Sequence, residues 1–277
     1  MNDIATLVFS KDRGAQLELL LRTMRKYLIV PTPTTILYTS TWVESEECYK
    51  MLQLEYPEHT FIRETQPVHN HIKEFIGAQE APYTLLMCDD EVMYRPFDLT
   101  TVLPFIDEVL TCSLRLGTNI TYNFPNNRDE VIPSSLEVLS DDFIKWQWNI
   151  SHFDFGYPMS VTDHIFSTHF LKDSMKKIMF RSVNSLESSL DSYKQILTRP
   201  GTQSWMMSPK QSVFYSIPYN LVQTEYAWNR TTTIHMPLNE AVDQFIKGNR
   251  ISLLEPSTIN ACHMTIPYGW LPKEFIC

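Results

Sequence analysis

The sequence YTLLMCDDE, from Tyr83 to Glu91, joins an apolar run directly to three carboxylates. Five of its first six residues are apolar or aromatic, which is typical of a buried strand. Asp89, Asp90 and Glu91 then follow without a break. Because adjacent carboxylates repel one another, this arrangement is costly unless a cation or several hydrogen-bond donors lie among them. The rest of the sequence has to indicate which of these is present.

Alternating strands and helices precede this stretch. The segment after the first strand carries Leu17, Leu20, Leu21 and Met24 at helical spacing, which predicts a helix with one apolar face. The predicted strands are Ile4–Phe9, Thr34–Ser40, His59–Glu64 and Tyr83–Cys88, and the predicted helices are Gln16–Leu28, Glu44–Glu55 and Val68–Ala78. This order predicts an α/β fold with a mainly parallel central sheet that is flanked by helices on both faces.

Polar residues follow three of these strands, at Ser10–Arg13, Thr39–Thr41 and Asp89–Glu91. In open sheets of this kind ligands bind beyond the carboxyl ends of the strands, so we expect the three clusters to meet in one crevice. The chain has only 7 glycines, and neither GxGxxG nor GxxxxGK[ST] follows a strand. The sequence therefore excludes a dinucleotide site of the glycine-rich type and a P-loop.

The second half of the chain is less regular. A helix is predicted to start near Asp98, in PFDLTTVLPFIDEVL, and TCSLRL is predicted to be a strand. The segment Thr118–Asp142 is polar and without periodicity, which predicts a long loop of the kind that often forms a lid. The further predicted helices are Thr168–Phe180, Leu186–Leu197 and the segment LNEAVDQFIKGN, with Gly248 as its C-cap. Since no linker or repeat interrupts the sequence, residues 1–277 are predicted to form one domain with an elaborated C-terminal half.

Composition narrows the function classes. The chain has 277 residues, a hydrophobic content of 43% and a net charge of −9, and its Lys and Arg residues are scattered. These values predict a globular protein that does not bind nucleic acid non-specifically. Five cysteines without CxxC spacing indicate neither a disulfide framework nor a zinc site. Since neither a transmembrane segment nor a signal peptide is recognisable, we expect a soluble, cytoplasmic protein.

The acidic cluster has two interpretations. A hard divalent cation such as Mn²⁺ or Mg²⁺ prefers oxygen ligands, and one or two carboxylates at a strand end leave positions open for substrate phosphates. Such a cation would neutralise a departing diphosphate. Alternatively, Asp89 and Asp90 cap a turn while Glu91 is solvated. The spacing alone does not separate the two interpretations.

The opening SKDRGAQLELLLRTM, the two α/β units that follow it, and the apolar strand that ends in DDE together resemble the nucleotide-binding half of GT-A glycosyltransferases. The SKDR opening looks like that of a group of bacterial and viral glycosyltransferases, and the DDE segment is also similar to the exostosin-like branch. The resemblance covers about residues 4–115. It implies a Rossmann-like GT-A fold, with nucleotide and metal in residues 1–115 and acceptor binding in residues 116–277.

By position, the DDE segment would correspond to the acidic DxD motif of that family. The resemblance implies that Asp89 approaches the ribose or donor sugar, that Asp90 binds sugar hydroxyls or the water shell of the metal, and that Glu91 is the metal ligand. Glu91 replaces the more frequent Asp, and its extra methylene moves the ligand oxygen. The resemblance also makes His263 a second candidate metal ligand, and the alternative for His263 is a structural histidine.

The same resemblance makes Arg13 a candidate for binding the base or a phosphate, because family members contact the nucleotide after the first strand. Ser10 and Thr39 are also candidates for nucleotide binding, since they offer backbone and hydroxyl groups at strand ends that suit the edge of uracil. Arg13 could instead form a surface pair with Asp12. Asn70 and Lys73 lie one helical turn apart on a helix that lines the nucleotide pocket in the family. For Lys73, a solvated helix face is the simpler interpretation.

Transfer with inversion requires a carboxylate base close to the acceptor hydroxyl. Asp163, which lies in an apolar run, is the first candidate and Asp154 the second; a turn or a cap is the alternative role of each. A retaining enzyme would not need such a base. Five aromatic residues could stack on sugar rings or belong to the core: Trp146, Trp148, Tyr157, Trp205 and Trp228.

The sequence thus predicts a hexosyl- or pentosyltransferase that moves a sugar from a nucleoside diphosphate donor to a hydroxyl of a glycan acceptor, with Mn²⁺ or Mg²⁺. A UDP-sugar such as UDP-xylose, UDP-glucose or UDP-galactose is the predicted donor. One alternative is a metal-dependent nucleotidyltransferase or phosphoesterase, although a second set of carboxylates is not recognisable. The other is a catalytically silent glycan-binding module on the same scaffold.

Overall fold

The computed structural model describes residues 3–197, 204–225 and 229–276, so Trp228 lies outside the described residues. The helices are α1 (Gly14–Tyr27), α2 (Val43–Glu55), α3 (Val68–Ala78), α4 (Thr168–Lys177), α5 (Val183–Leu197) and α6 (Leu238–Ile246). The first strands are β1 (Ile4–Lys11), β2 (Thr34–Thr39), β3 (Thr60–Arg63), β4 (Tyr83–Cys88), β5 (Glu91–Met93), β6 (Thr111–Ser113), β7 (Tyr122–Asn123) and β8 (Arg128–Asp129). They are followed by β9 (Glu137–Val138), β10 (Phe143–Gln147), β11 (His164–Ser167), β12 (Trp205–Pro209), β13 (Phe214–Ser216), β14 (Asn249–Leu253) and β15 (Tyr268–Pro272).

One large sheet runs through both halves of the chain, with the strand order β3-β2-β1-β4-β11-β6-β12-β10-β9. The strands β3, β2, β1 and β4 are parallel to one another. β11 is antiparallel to both of its neighbours, β4 and β6, and β10 is antiparallel to β12. The predicted α/β fold, with a large central sheet flanked by helices, is confirmed.

The two faces of β1 pack into two separate cores. Val8 lies in a cluster with residues of α1, α2 and α6, such as Leu20 and Phe245. Leu7 and Phe9 point the other way, into a cluster with residues of α3, α4 and α5 such as Ile72. Because side chains alternate along a strand, a continuous apolar run is needed when helices cover both faces. The apolar run of β1 is therefore a consequence of this burial.

The helix predicted near Asp98 is wrong. The structure has two short 3-10 helices there, Leu99–Val102 and Ile106–Glu108. The Asp98 side chain accepts a hydrogen bond from the Thr100 N–H and starts the first of them. Pro104 follows, and a proline lacks the N–H that a continuing α-helix requires. Apolar spacing alone predicted a helix that the proline interrupts.

The remaining predicted elements agree closely with the structure. The helices α2, α3, α4 and α5 start or end within three residues of their predicted bounds, and Gly248 follows α6 with φ 86°. A left-handed backbone is readily adopted by glycine, which explains this C-cap. Apart from the short strands β7, β8 and β9, the segment 118–142 is irregular. None of the helices in the described ranges combines the length and the apolar character needed to cross a membrane.

Candidate active site

A cavity of about 960 Å³ lies beyond the carboxyl ends of β1, β2 and β4. Its first wall contains residues of the three predicted polar clusters, including Ser10, Thr39 and Asp89. Its second wall, opposite the first, comes from the second half of the chain and includes the segments 123–126, 153–157 and 181–187. The expected meeting of the strand-end clusters in one crevice is therefore what the structure shows.

Asp89 is fixed by a set of donors. It is 3% exposed, its Oδ1 accepts a hydrogen bond from Arg13 Nη1 at 2.9 Å, and its Oδ2 accepts from Ser10 Oγ at 2.8 Å and from the Lys11 N–H at 3.1 Å. Burial raises the pKa of Asp89 to about 6, against the opposing effect of the Arg13 charge. Because three donors bind its two oxygens, Asp89 is an anchor of this end of the cavity.

Arg13 lies among the carboxylates rather than on the surface. Besides Asp89, its Nη1 contacts Asp90 Oδ2 at 3.2 Å. Its Nε donates to Asn220 Oδ1 at 2.8 Å and its Nη2 donates to the Asn220 carbonyl at 2.5 Å. The alternative, a surface pair with Asp12, is not formed, because the Asp12 carboxylate accepts hydrogen bonds from Thr41 and Ser45. A buried guanidinium thus compensates part of the charge of the acidic cluster.

Glu91 accepts a hydrogen bond from a hydroxyl, and its carboxyl group also lies within hydrogen-bonding reach of the Asp163 carboxyl group. Its Oε1 accepts from Ser216 Oγ at 2.7 Å, whereas no N–H or hydroxyl among the described residues donates to its buried Oε2. Burial, followed by the negative charge of Asp163, raises the pKa of Glu91 well above its usual value. Two buried carboxyl groups in this relation require a proton or a cation between them.

Asp163 lies behind Glu91. It is completely buried. In the part of the chain that the structure describes, no N–H or hydroxyl donates to its carboxylate, which pairs with the Glu91 carboxyl group instead, and its side chain is not in the cavity wall. Burial raises its pKa to about 6, and its φ of 55° is in the left-handed region, which Asp tolerates better than most residues. The structure thus brings the first candidate base next to Glu91 rather than to the acceptor side.

His263 reaches the same end of the cavity through strand pairing. Ser216 of β13 pairs with Glu91 on one side and with His263 on the other. The buried Nδ1 of His263 has no hydrogen-bond partner within the described ranges. Burial, followed by the positive charge of Arg115, lowers the pKa of His263 to about 4, so its imidazole is neutral at pH 7. A neutral imidazole is the form that binds metals.

The residues at the acidic end of the cavity can be compared with the ligands that a divalent cation requires. Over the described residues, no three His, Cys, Asp or Glu side chains form a group that could hold a metal ion by itself. However, Mg²⁺ and similar ions at phosphate sites use one or two carboxylates and complete their shell with water and substrate oxygens. Asp90 and Glu91 both lie in the cavity wall and supply the one or two carboxylates of that smaller requirement; a bound cation would replace the proton that Glu91 shares with Asp163.

The other predicted residues divide into two groups. Ser10 and Thr39 line the cavity, Ser10 donating to Asp89 and Thr39 donating to Glu64. Asn70 and Lys73 do not line it within the described chain: Asn70 bonds Gln66 at 3.5 Å, and the Lys73 ammonium lies 5.7 Å from the ring centre of Phe180. The cation–π contact pairs Lys73 with Phe180 instead of with the described cavity.

Asp154 and the candidate aromatic residues are placed on the second wall or in the core. Asp154 lines the cavity, accepts a hydrogen bond from Asn123 Nδ2 at 3.0 Å and contacts Arg115 Nη2 at 3.6 Å. Of the aromatics, Tyr157 lines the cavity, whereas Trp146 and Trp148 are buried in the core. Trp205 packs at the edge of a core cluster and has Lys145 over its ring at 5.0 Å.

Arg115 is a cavity residue that the sequence interpretation missed. It is 5% exposed, and in the described residues its buried Nε has no partner. The signal was a single charge in the otherwise uncharged run TCSLRLG, where an unpaired guanidinium would be costly. Ser216, at the end of β13, and Asn220, in the loop after it, were also missed, because an ordinary polar residue carries no local signal of a contact distant in sequence.

Comparisons with known proteins bear on the fold. No protein-family model matches the chain. The bifunctional glycosyltransferase pgtA of Dictyostelium discoideum is 27% identical over 183 residues, which is 60% of this chain and 24% of that protein. The crystal structure of S. aureus TarS matches with a TM-score of 0.50 and 15% identity, over 79% of this chain and 37% of that one.

The structure of S. aureus TarS 1-349 in complex with UDP matches with a TM-score of 0.50 and 14% identity, over 78% of this chain and 60% of that one. The chain thus spans less than two thirds of the length of each of these proteins. At such low identity the structural likeness bears on the fold alone. It shows that the chain has the α/β, GT-A-like fold of these structures.

Proposed function

We propose that the chain is a glycosyltransferase that moves one sugar from a nucleoside diphosphate donor to a hydroxyl of a glycan acceptor. The observation that carries this proposal is the acidic end of β4, which opens into a cavity of about 960 Å³ at the carboxyl ends of parallel strands. Ligands of open α/β sheets bind at this place. The pgtA relative, a bifunctional glycosyltransferase, supports the same reaction class.

The donor diphosphate would lie against Asp90 and Glu91, which would hold a divalent cation, Mn²⁺ or Mg²⁺. When bound, such a cation neutralises the charge that develops on the departing diphosphate. The chain supplies the positioning: Ser216 orients Glu91, and Arg13 fixes Asp89 and holds Asp90 at 3.2 Å. His263 adds a neutral nitrogen beside Ser216. Because these side chains are already held in place, less free energy is spent on ordering them when the donor binds and when charge develops on the departing diphosphate.

The nucleoside would lie toward the ends of β2 and β3. Thr39 and Glu64 provide a hydroxyl and a carboxylate there, and Leu37 and Val68 provide apolar surface. The Glu64 carboxylate can accept a hydrogen bond from a base edge that carries an N–H donor, such as that of uracil. The UDP complex of TarS, which has the same fold, supports a UDP-sugar as the donor. UDP-xylose, UDP-glucose and UDP-galactose are the first candidates to test.

The test is a nucleotide-release assay. The wild-type chain is incubated with a panel of UDP- and GDP-sugars, with mixed glycans as acceptors, in Mn²⁺ or in chelator. Release of UDP from one UDP-sugar, accelerated by glycan and stopped by chelator, is the expected result. Binding of glycans without release of any nucleotide would instead identify a silent glycan-binding module. Release of pyrophosphate from a nucleoside triphosphate would indicate a nucleotidyltransferase.

A further inference from the structure

The first turn of α5 forms part of the second wall of the cavity. Val183, Asn184 and Glu187 line the cavity, and the spacing from Val183 to Glu187 is one helical turn. They face the donor end across the cavity, whose first wall contains Asp90 and Glu91. A carboxylate is therefore carried by a regular element on the side where an acceptor would enter.

Glu187 is held in one orientation through a single oxygen. Its Oε1 accepts hydrogen bonds from Ser160 Oγ at 2.9 Å and from the Val161 N–H at 3.2 Å. The two donors come from the loop that precedes β11. Because both hydrogen bonds go to Oε1, Oε2 is not committed to them and can contact a ligand. Because the side chain is already fixed, it loses little rotamer entropy when a ligand binds to its other oxygen.

The other carboxylates of this wall are engaged differently. Asp154 is held by Asn123 and contacts Arg115. Glu225 accepts from Ser182 at 2.5 Å and pairs with Arg181 at 3.5 Å. Asp163 is fully buried behind Glu91. Glu187 therefore combines a place in the cavity wall, a fixed side chain and an oxygen that its two anchoring donors leave uncommitted.

We propose that Glu187 is the general base of the transfer, which proceeds with inversion at the anomeric carbon; this rests on the proposed function. In this step the acceptor hydroxyl gives its proton to Glu187 Oε2, and its oxygen forms the new bond to the anomeric carbon. The bond from that carbon to the diphosphate oxygen breaks, and the electron pair leaves with the nucleoside diphosphate. Burial raises the pKa of Glu187, which strengthens it as a base.

The decisive variant is Glu187→Gln. Glutamine keeps a carbonyl oxygen that can accept from Ser160 and Val161, so the loop stays anchored while the basic oxygen is replaced by an amide. We expect nucleotide release to fall by about 100-fold or more, while binding of the donor measured by calorimetry stays within about 2-fold. Asp173→Asn is the control: this carboxylate of α4 pairs with Lys176 and is not in the described cavity wall, so the variant should keep the wild-type rate. The second readout is the anomeric configuration of the product, by NMR.

The outcomes separate this inference from the proposed function. An inverted product together with a slow Glu187→Gln variant that binds donor normally supports the base. A retained configuration, or a Glu187→Gln variant with wild-type turnover, overturns it and leaves the glycosyltransferase intact. If Glu187→Gln fails to fold, Glu187→Asp and the product configuration of the wild type decide in its place. A wild type that binds no nucleotide sugar contradicts the proposed function itself and with it this assignment.

Discussion

The two walls of the cavity are built in different ways. The donor wall, which is the first wall described above, is formed where regular parallel strands end. Its Asp89 receives hydrogen bonds from Ser10 and Lys11 at the end of β1 and from Arg13 just after it. The acceptor wall, which is the second wall described above, combines loops with the first turn of α5. Its Asp154 is held by a hydrogen bond from Asn123 and by the charge of Arg115. Regular elements fix a common nucleotide-binding geometry, whereas loops can change with the acceptor. Apart from the proposed base Glu187, the comparison predicts that changes in the donor wall cost more than changes in the acceptor wall.

The largest effect is expected from Arg13→Ala. Removing the guanidinium leaves the buried Asp89 and its neighbour Asp90 without their counter-charge, which should lower the free energy of unfolding by about 3–5 kcal/mol. Urea denaturation measures this loss. Arg13→Lys keeps the charge but cannot repeat the contacts to Asn220, so an intermediate loss is expected. Equal stability of all three proteins would mean that the donor wall is not held by this network.

The next effect concerns Glu91→Gln. Glutamine can still accept the hydrogen bond from Ser216, but it removes one of the two carboxylates proposed for the cation. Nucleotide release in Mn²⁺ should fall by about 100-fold, at the upper end of losses seen when groups around a metal are changed. The fold itself should stay intact, which circular dichroism checks. Turnover that survives both this variant and chelator would exclude metal assistance at this carboxylate.

A smaller effect is expected in the acceptor wall. Arg230 donates to the Phe124 carbonyl at 2.9 Å, and its guanidinium lies 4.7 Å from the centre of that ring. Arg230→Ala should raise the KM for the acceptor by about 2- to 5-fold, because such a contact contributes about 0.5–1 kcal/mol. The donor affinity should not change. Arg181→Ala, which removes an 85% exposed side chain at the same cavity, should have less effect and serves as the control.

The smallest effect is expected from Lys73→Ala and Asn70→Ala. The structure keeps both side chains out of the described cavity wall, so donor affinity should stay within about 2-fold and stability within about 0.5 kcal/mol, as for most surface changes. Calorimetric titration with the donor measures the first quantity. A large loss of donor affinity in either variant would show that the substituted side chain of α3 contacts the nucleotide, as the resemblance to the GT-A family implies.

The sequence predicted the donor wall better than the acceptor wall for a physical reason. Strand periodicity and helix spacing are local, so β1 to β4 and α1 to α3 could be predicted almost to the residue. The helix near Asp98 failed because Pro104 overrides apolar spacing. Asn220, which binds the Arg13 guanidinium, lies 207 residues further along the chain, so no local sequence pattern indicates this contact. Such contacts depend on how the whole sheet closes.

Glu187 shows the same limit on the acceptor side. Its helix was predicted, but a Glu in the sequence LESSLDS does not differ from any solvated helical residue until its partners are known. Those partners, Ser160 and Val161, lie 27 and 26 residues earlier in the chain. Arg115 was recognisable in principle, because it is the one charged residue in TCSLRLG. The division of the chain at residue 115 into a donor half and an acceptor half remains a prediction.

The most direct test of the central claim is a calorimetric titration of UDP into the wild-type chain and into Glu91→Gln, in Mn²⁺ and in chelator. The account predicts that the wild type binds UDP in Mn²⁺, and that chelator and the substitution each weaken binding by about 100-fold. Equal binding of UDP in all four conditions, or no binding in any of them, would contradict a metal-assisted donor site at the end of β4.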